Sequence, residues 1–195
     1  MEQRAIWPAE GLELRREGRR PVIAGRFPYG ALAVMADRGK VRKERIMPGA
    51  FEFALKDVQR EVNLLLGHSF DKPLASRKAG SLVLKDTPEA LTFSAEIPAE
   101  LEGVTHVRDA LAMLEAGLVT GVSPGFRVPP PDVVPDAEGL DPEEGNPGVF
   151  IRTLRHLLLF ELSLVTRPAY EAAEAEIRAM NTAAHPVRPH LVVLP

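Results

Sequence analysis

The chain has 195 residues, of which 45% are hydrophobic and 26% charged, the balance of one globular domain with a sizeable core. Its net charge of −3 gives no overall nucleic-acid footprint, and the absence of cysteine excludes disulfides, thiolate catalysis and Cys-ligated metal or iron–sulfur sites. No apolar run approaches a membrane span and residues 1–8 hold no signal-peptide apolar core, so the reading is a cytosolic protein.

Residues 1–20 are charged and irregular, and Arg15, Arg16, Arg19 and Arg20 read as a solvated turn or hairpin edge. Residues 21–35 read as strand material broken by Gly and Pro, 37–40 as a turn and 41–46 as a short strand. A helix is predicted from about Phe51 to Arg60, where Phe51, Ala54, Leu55 and Val58 fall at i, i+3, i+4, i+7. Val62, Leu64, Leu66 and His68 then share one face of an apolar strand, with His68 at its end and 69–73 as a loop. Residues 74–84 and 90–97 read as a β-hairpin. A second helix is predicted over 105–116, with Val107, Ala110, Leu111 and Leu114 on one face, Thr105 as cap and Gly117 at the αL position. The chain re-emerges as strand over 118–123.

Residues 129–148 hold six prolines, three glycines and six acids (Asp132, Asp136, Glu138, Asp141, Glu143, Glu144) with no Lys or Arg, and read as a long acidic loop. Without these acids the rest of the chain carries +3, so one strongly acidic segment sits on a mildly basic body. Residues 149–166 give one or two buried strands, and Pro168 opens an amphipathic helix to about Met180. The sequence shows no internal repeat. It predicts one α+β, mainly β domain over 1–180, a β-barrel or sandwich core with a few helices around it, and a flexible tail over 181–195.

Three residues carry candidate chemistry. Ser123 lies between Gly121 and Gly125, which would let a substrate backbone approach; a serine is a poor nucleophile without a base, and the alternative is a serine at a β-bulge bonded to its own backbone. His68 could be that base, or a structural histidine at a strand end. Glu161 falls within the apolar run 157–165, where an ionised carboxylate needs a partner. That partner is either a histidine N–H or an arginine (Arg152, Arg155 or Arg167). His106, His156, His185 and His190 are weaker candidates. A metal site fits poorly: His68 and Asp71 are three apart, but no second cluster joins them. No Gly-rich phosphate loop is present, so no cofactor is implied.

Leu64-Leu65-Leu66-Gly67-His68 followed by Pro73-Leu74-Ala75, then Gly121-Val122-Ser123-Pro124-Gly125-Phe126, then Glu161-Leu162-Ser163-Leu164-Val165-Thr166-Arg167-Pro168-Ala169-Tyr170 resemble the prohead maturation proteases of tailed bacteriophages. Ile46-Met47-Pro48-Gly49-Ala50-Phe51 is also similar to that family, and the resemblance covers roughly residues 20–180. His68, Ser123 and Glu161 stand in the family's order, with intervals of 55 and 38 residues. The resemblance implies a serine endopeptidase inside the assembling procapsid in the host cytoplasm. Its implied substrates are scaffold sequences, often the N-terminal scaffold part of the major capsid protein, and commonly the protease itself. It also implies a β-barrel ringed by helices, similar to herpesvirus assemblins, with Glu161 where those relatives have a second histidine. Activity that depends on assembly, and a homo-oligomer, are compatible with it; nucleic acid and membrane are not expected partners. Prophages and gene transfer agents carry similar proteins. Two residues depart from the pattern: Gly67 replaces the usual Asn before the histidine, and Pro124 has no N–H for an oxyanion. By the resemblance, Arg167 is then the oxyanion candidate. The same two departures favour an alternative, a catalytically inert capsid-assembly module on this fold; a non-peptide hydrolase is a third reading.

Overall fold

The computed structural model describes residues 3–4, 7–8, 10–17, 20–37, 40–145 and 149–166. In chain order the strands are β1 (Gln3–Arg4), β2 (Trp7–Pro8), β3 (Glu10–Glu17), β4 (Arg20–Pro28), β5 (Leu32–Asp37) and β6 (Lys40–Ile46). Helix α1 (Glu52–Lys56) follows, then β7 (Asn63–Leu66), β8 (Ser69–Ser76), β9 (Leu82–Asp86), β10 (Ala90–Glu96) and helix α2 (Thr105–Glu115). The last strands are β11 (Gly121–Arg127), β12 (Glu138–Pro142), β13 (Phe150–Leu154) and β14 (Leu158–Val165).

These strands form three sheets. The six-stranded sheet runs β1-β11-β14-β7-β8, with β2 also on β11; the others run β3-β4-β10-β9 and β12-β13-β6-β5. The described residues are thus mainly β, as the sequence predicts, and two of the three predicted helices, α1 and α2, fall among them. The pairings close no barrel among the described residues; three open sheets stand where a barrel core was expected. A continuous core, including Ile23, Phe27, Phe51, Leu64, Phe126 and Leu162, packs where the sheets and helices meet.

The large sheet positions the candidate residues. Strand β14 lies in its middle, antiparallel to β11 and parallel to β7. Cross-strand partners share a face, and faces alternate along each strand. Val122↔Leu164 and Pro124↔Leu162 put apolar groups on one face, and Ser123↔Ser163 and Gly125↔Glu161 put a polar set on the other. Both faces are covered, so Ser123, Glu161 and Ser163 are all buried.

Local chemistry explains where the elements begin and end. In α2, Val107 and Ala110 are buried as the periodicity predicts. Gly117 takes φ +66° and closes the helix, with Gly117 N–H donating to Leu114 O (3.0 Å) and Leu118 N–H to Met113 O (2.8 Å). The cap at the other end is Val104, not Thr105, and it makes no side-chain capping bond. The first helix is five residues rather than ten. Asp57 turns extended (φ −80°, ψ 95°) and its Oδ1 accepts Gln59 N–H at 3.0 Å, a local bond that competes with helix. Val58, expected in the buried stripe, is therefore 71% exposed.

Gly67 and His68 do not extend β7. With φ of +63° and +60° they make a two-residue turn of the kind that suits hairpin twist, and Leu66 pairs directly with Ser69. Residues 69–73, expected as a loop, are thereby drawn into β8, which lies at the sheet edge where Pro73 is tolerated. The acidic segment is also partly strand. Glu138–Pro142 pairs with Phe150–Leu154, and its acids meet cations: Glu138 with Arg152, Glu143 with Lys43, and Asp141 with Arg155 (3.6 Å). The predicted helix at 168–180, the tail 181–195 and Arg167 lie outside the described residues.

Candidate active site

The turn after β7 delivers His68 back over the large sheet. Glu161 sits on β14 in register with Asn63 of β7, so the parallel pairing of these strands brings together residues 93 apart in sequence. His68 Nδ1 lies 2.7 Å from Glu161 Oε1. Their side chains are 10% and 2% exposed, which shields the pair from water. Against an ionised carboxylate, which only accepts, Nδ1 is the donor, and that tautomer of the neutral ring leaves the lone pair on Nε2. Nε2 is buried and has no hydrogen-bond partner among the described residues.

Glu161 is held at both oxygens. Ser163 Oγ donates to Oε2 at 2.6 Å, and that same Oγ accepts His68 N–H at 2.9 Å. The burial of a carboxylate in an apolar run is thereby compensated without an arginine. The arginine alternative fails for two of its three candidates: Arg152 binds Glu44 (2.9 Å) and Glu138, and Arg155 faces Asp141.

Ser123 is fully buried on β11, directly across from Ser163 and on the same sheet face as Glu161. On the outer edge of β11, pairs Gln3↔Phe126, Arg4↔Gly125, Trp7↔Val122 and Pro8↔Gly121 flank Ser123 and Pro124. The room beside Gly125 belongs to Glu161 rather than to a substrate. A Cβ built at Gly125 would lie 2.3 Å from Glu161 Oε1. Ser163 received no role from the sequence, although it stands two residues from Glu161 on the same strand face; that spacing was the available signal.

The remaining candidates are elsewhere. His106 Nε2 bonds Pro73 O at 2.9 Å on an exposed surface. His156 lies between β13 and β14 rather than in a strand, and His185 and His190 are outside the described residues. Among the described residues no group of three or more His, Asp or Glu could hold a metal ion, and no helix is long and apolar enough to cross a membrane.

A carboxylate-bound imidazole with a free Nε2, on a sheet that also carries a buried serine, assembles residue types that serine hydrolases bring together. The model of the caudovirus prohead serine protease family matches residues 28–187, and the chain belongs to that family. Membership supports a serine protease role in phage capsid maturation, exercised in the prohead. No curated protein and no solved structure matches the chain.

Proposed function

We propose that the protein is a serine endopeptidase with Ser123 as nucleophile, His68 as general base and acid, and Glu161 as the carboxylate that orients His68. Its substrates are scaffold or major capsid protein segments inside the procapsid. The observation that carries this reading is the 2.7 Å contact between His68 Nδ1 and Glu161 Oε1, which leaves Nε2 as the proton acceptor.

In this mechanism Ser123 Oγ attacks the scissile carbonyl carbon while its proton passes to Nε2. The tetrahedral intermediate collapses as the imidazolium returns that proton to the leaving amine. Water then attacks the acyl-serine, again with His68 as base, and releases the acid product. Glu161 stays ionised and stabilises the imidazolium in both steps. Catalytic bonds often tighten only with substrate present, and Nε2 has no partner among the described residues. Pro124 has no N–H to give to the oxyanion, so a donor must come from another segment. Arg167, just after β14, is the candidate.

The test is co-expression with the cognate capsid or scaffold protein. Ser123→Ala and His68→Ala should fold and leave the substrate uncut; full processing by either variant would overturn the reading. Pro124 also favours a second reading, an inert assembly module. That reading predicts that no active-site-directed probe attaches to Ser123 even inside assembled shells.

A further inference from the structure

Ser163 closes a ring of hydrogen bonds around the candidate base. His68 N–H donates to Ser163 Oγ, Ser163 O–H donates to Glu161 Oε2, and Glu161 Oε1 accepts from His68 Nδ1. The ring therefore ties both the backbone and the side chain of one residue to the same carboxylate. We propose that Ser163 is a positioning residue for catalysis, a latch that sets the direction of the His68 imidazole. The inference rests on the triad reading above.

Three observations support a role beyond filling space. His68 adopts φ +60°, a left-handed conformation that disfavours side chains, and the bond from its N–H to Ser163 holds it there. This conformation is what turns the imidazole back over β14 instead of out along the hairpin. Ser163 is 0% exposed in a strand whose other residues, Glu161 apart, are apolar, and an apolar residue in its place would leave both His68 N–H and one side of the Glu161 carboxylate unpaired. A hydroxyl accepts and donates from one small atom, as the ring requires. Finally, Ser163 is the cross-strand partner of Ser123, so one residue spaces the proposed nucleophile from the acid.

The test uses the full chain with its capsid substrate and compares Ser163→Ala and Ser163→Cys with wild type. The readouts are kcat, KM, the pH–rate profile, thermal melting and the low-field proton resonance of His68 Nδ1–H. Ser163→Ala should lower kcat about 10- to 100-fold, with KM changed less than about twofold, because the lost interaction orients the base. Its Nδ1–H resonance should move upfield and its pH–rate profile should shift. Ser163→Cys keeps a weaker donor and acceptor on a somewhat larger atom, and its kcat should fall between those of Ser and Ala; if the alanine variant does not fold, this comparison decides. Wild-type kcat and pH profile in either folded variant, with Ser123→Ala inactive, would overturn this inference alone. Cleavage by Ser123→Ala would overturn the triad reading instead.

Discussion

Gly125→Ala adds one methyl group at the tightest point of the site. Its Cβ would lie 2.3 Å from Glu161 Oε1 and 2.7 Å from both Cγ and Cδ, far inside the roughly 3.5 Å of a carbon contact. Strand β11 has little freedom to recede. It is paired with β14 on one side (Ser123↔Ser163, Pro124↔Leu162) and with Arg4 on the other. The carboxylate must move, and it is held by bonds of 2.7 Å from His68 and 2.6 Å from Ser163. Losing one hydrogen bond to a charged group costs about 1.5–3 kcal/mol, and forcing a methyl into a packed site costs about 1–3 kcal/mol. If the first loss falls on imidazole orientation in the transition state, kcat drops roughly 10- to 150-fold. The overpacking should lower the melting temperature by roughly 5 °C for a chain of this size. Single-turnover cleavage of the capsid substrate and a thermal melt measure the two effects separately. Wild-type values for both would refute the argument that Gly125 exists to make room for Glu161.

Glu161→Gln keeps the shape but replaces an acceptor oxygen with a donor, against either His68 Nδ1–H or Ser163 O–H; kcat should fall about 10²- to 10⁴-fold while the variant still folds, measured by cleavage kinetics and melting. Arg152→Met strands Glu44, which is 1% exposed, and should destabilise the fold by about 3–5 kcal/mol in denaturant titration; the double variant with Glu44→Gln should recover most of that loss. Burial, reinforced by its bond to Asp86, holds the Tyr29 phenol protonated well above its ordinary range. The folded state thus retains a proton that the unfolded chain releases above about pH 10, so stability should fall as pH rises there, and Tyr29→Phe should flatten that limb. Asp86 is raised too, mainly by burial and further by Glu52, against the lowering effect of the Tyr29 bond. Its contribution is therefore greatest at low pH and declines as pH rises from the ordinary aspartate range through its folded pKa, so the stability difference between wild type and Asp86→Asn in urea titrations should decline as pH rises through that range.

Elements defined by local patterns were legible in the sequence. Helix α2 follows from the spacing of Val107 and Ala110 and the stop at Gly117, and the β9–β10 hairpin from alternation around a turn, although the first strand, expected over 74–84, is broken: 74–76 belong to β8 and pair with β7, and β9 begins at Leu82. Competing interactions made other elements illegible. The spacing of Phe51, Ala54, Leu55 and Val58 suits a longer helix, but the Asp57 carboxylate bonds Gln59 N–H and the helix ends. Residues 69–73 have no apolar face, yet the Gly67-His68 turn pairs Ser69 with Leu66 and carries them into a strand. The prolines and acids of 129–148 read as loop because the cations that meet them lie outside the segment: Lys43 on β6, Arg152 on β13 and Arg155 just after it. Within the site, the demand of a buried Glu161 for a partner was readable from one apolar run. The identity of the full hydrogen-bond ring was not. It depends on parallel pairing of β7 with β14, a contact across about half the chain that no local pattern encodes.

Ser123 is proposed as a nucleophile activated by His68. A fluorophosphonate probe applied to the chain assembled with its capsid substrate, followed by intact-mass measurement and peptide mapping, tests it most directly. The expected result is one adduct per chain, on Ser123, abolished in His68→Ala while that variant remains folded. Complete substrate processing with Ser123 unlabelled, or an adduct mapped to another residue, would contradict it.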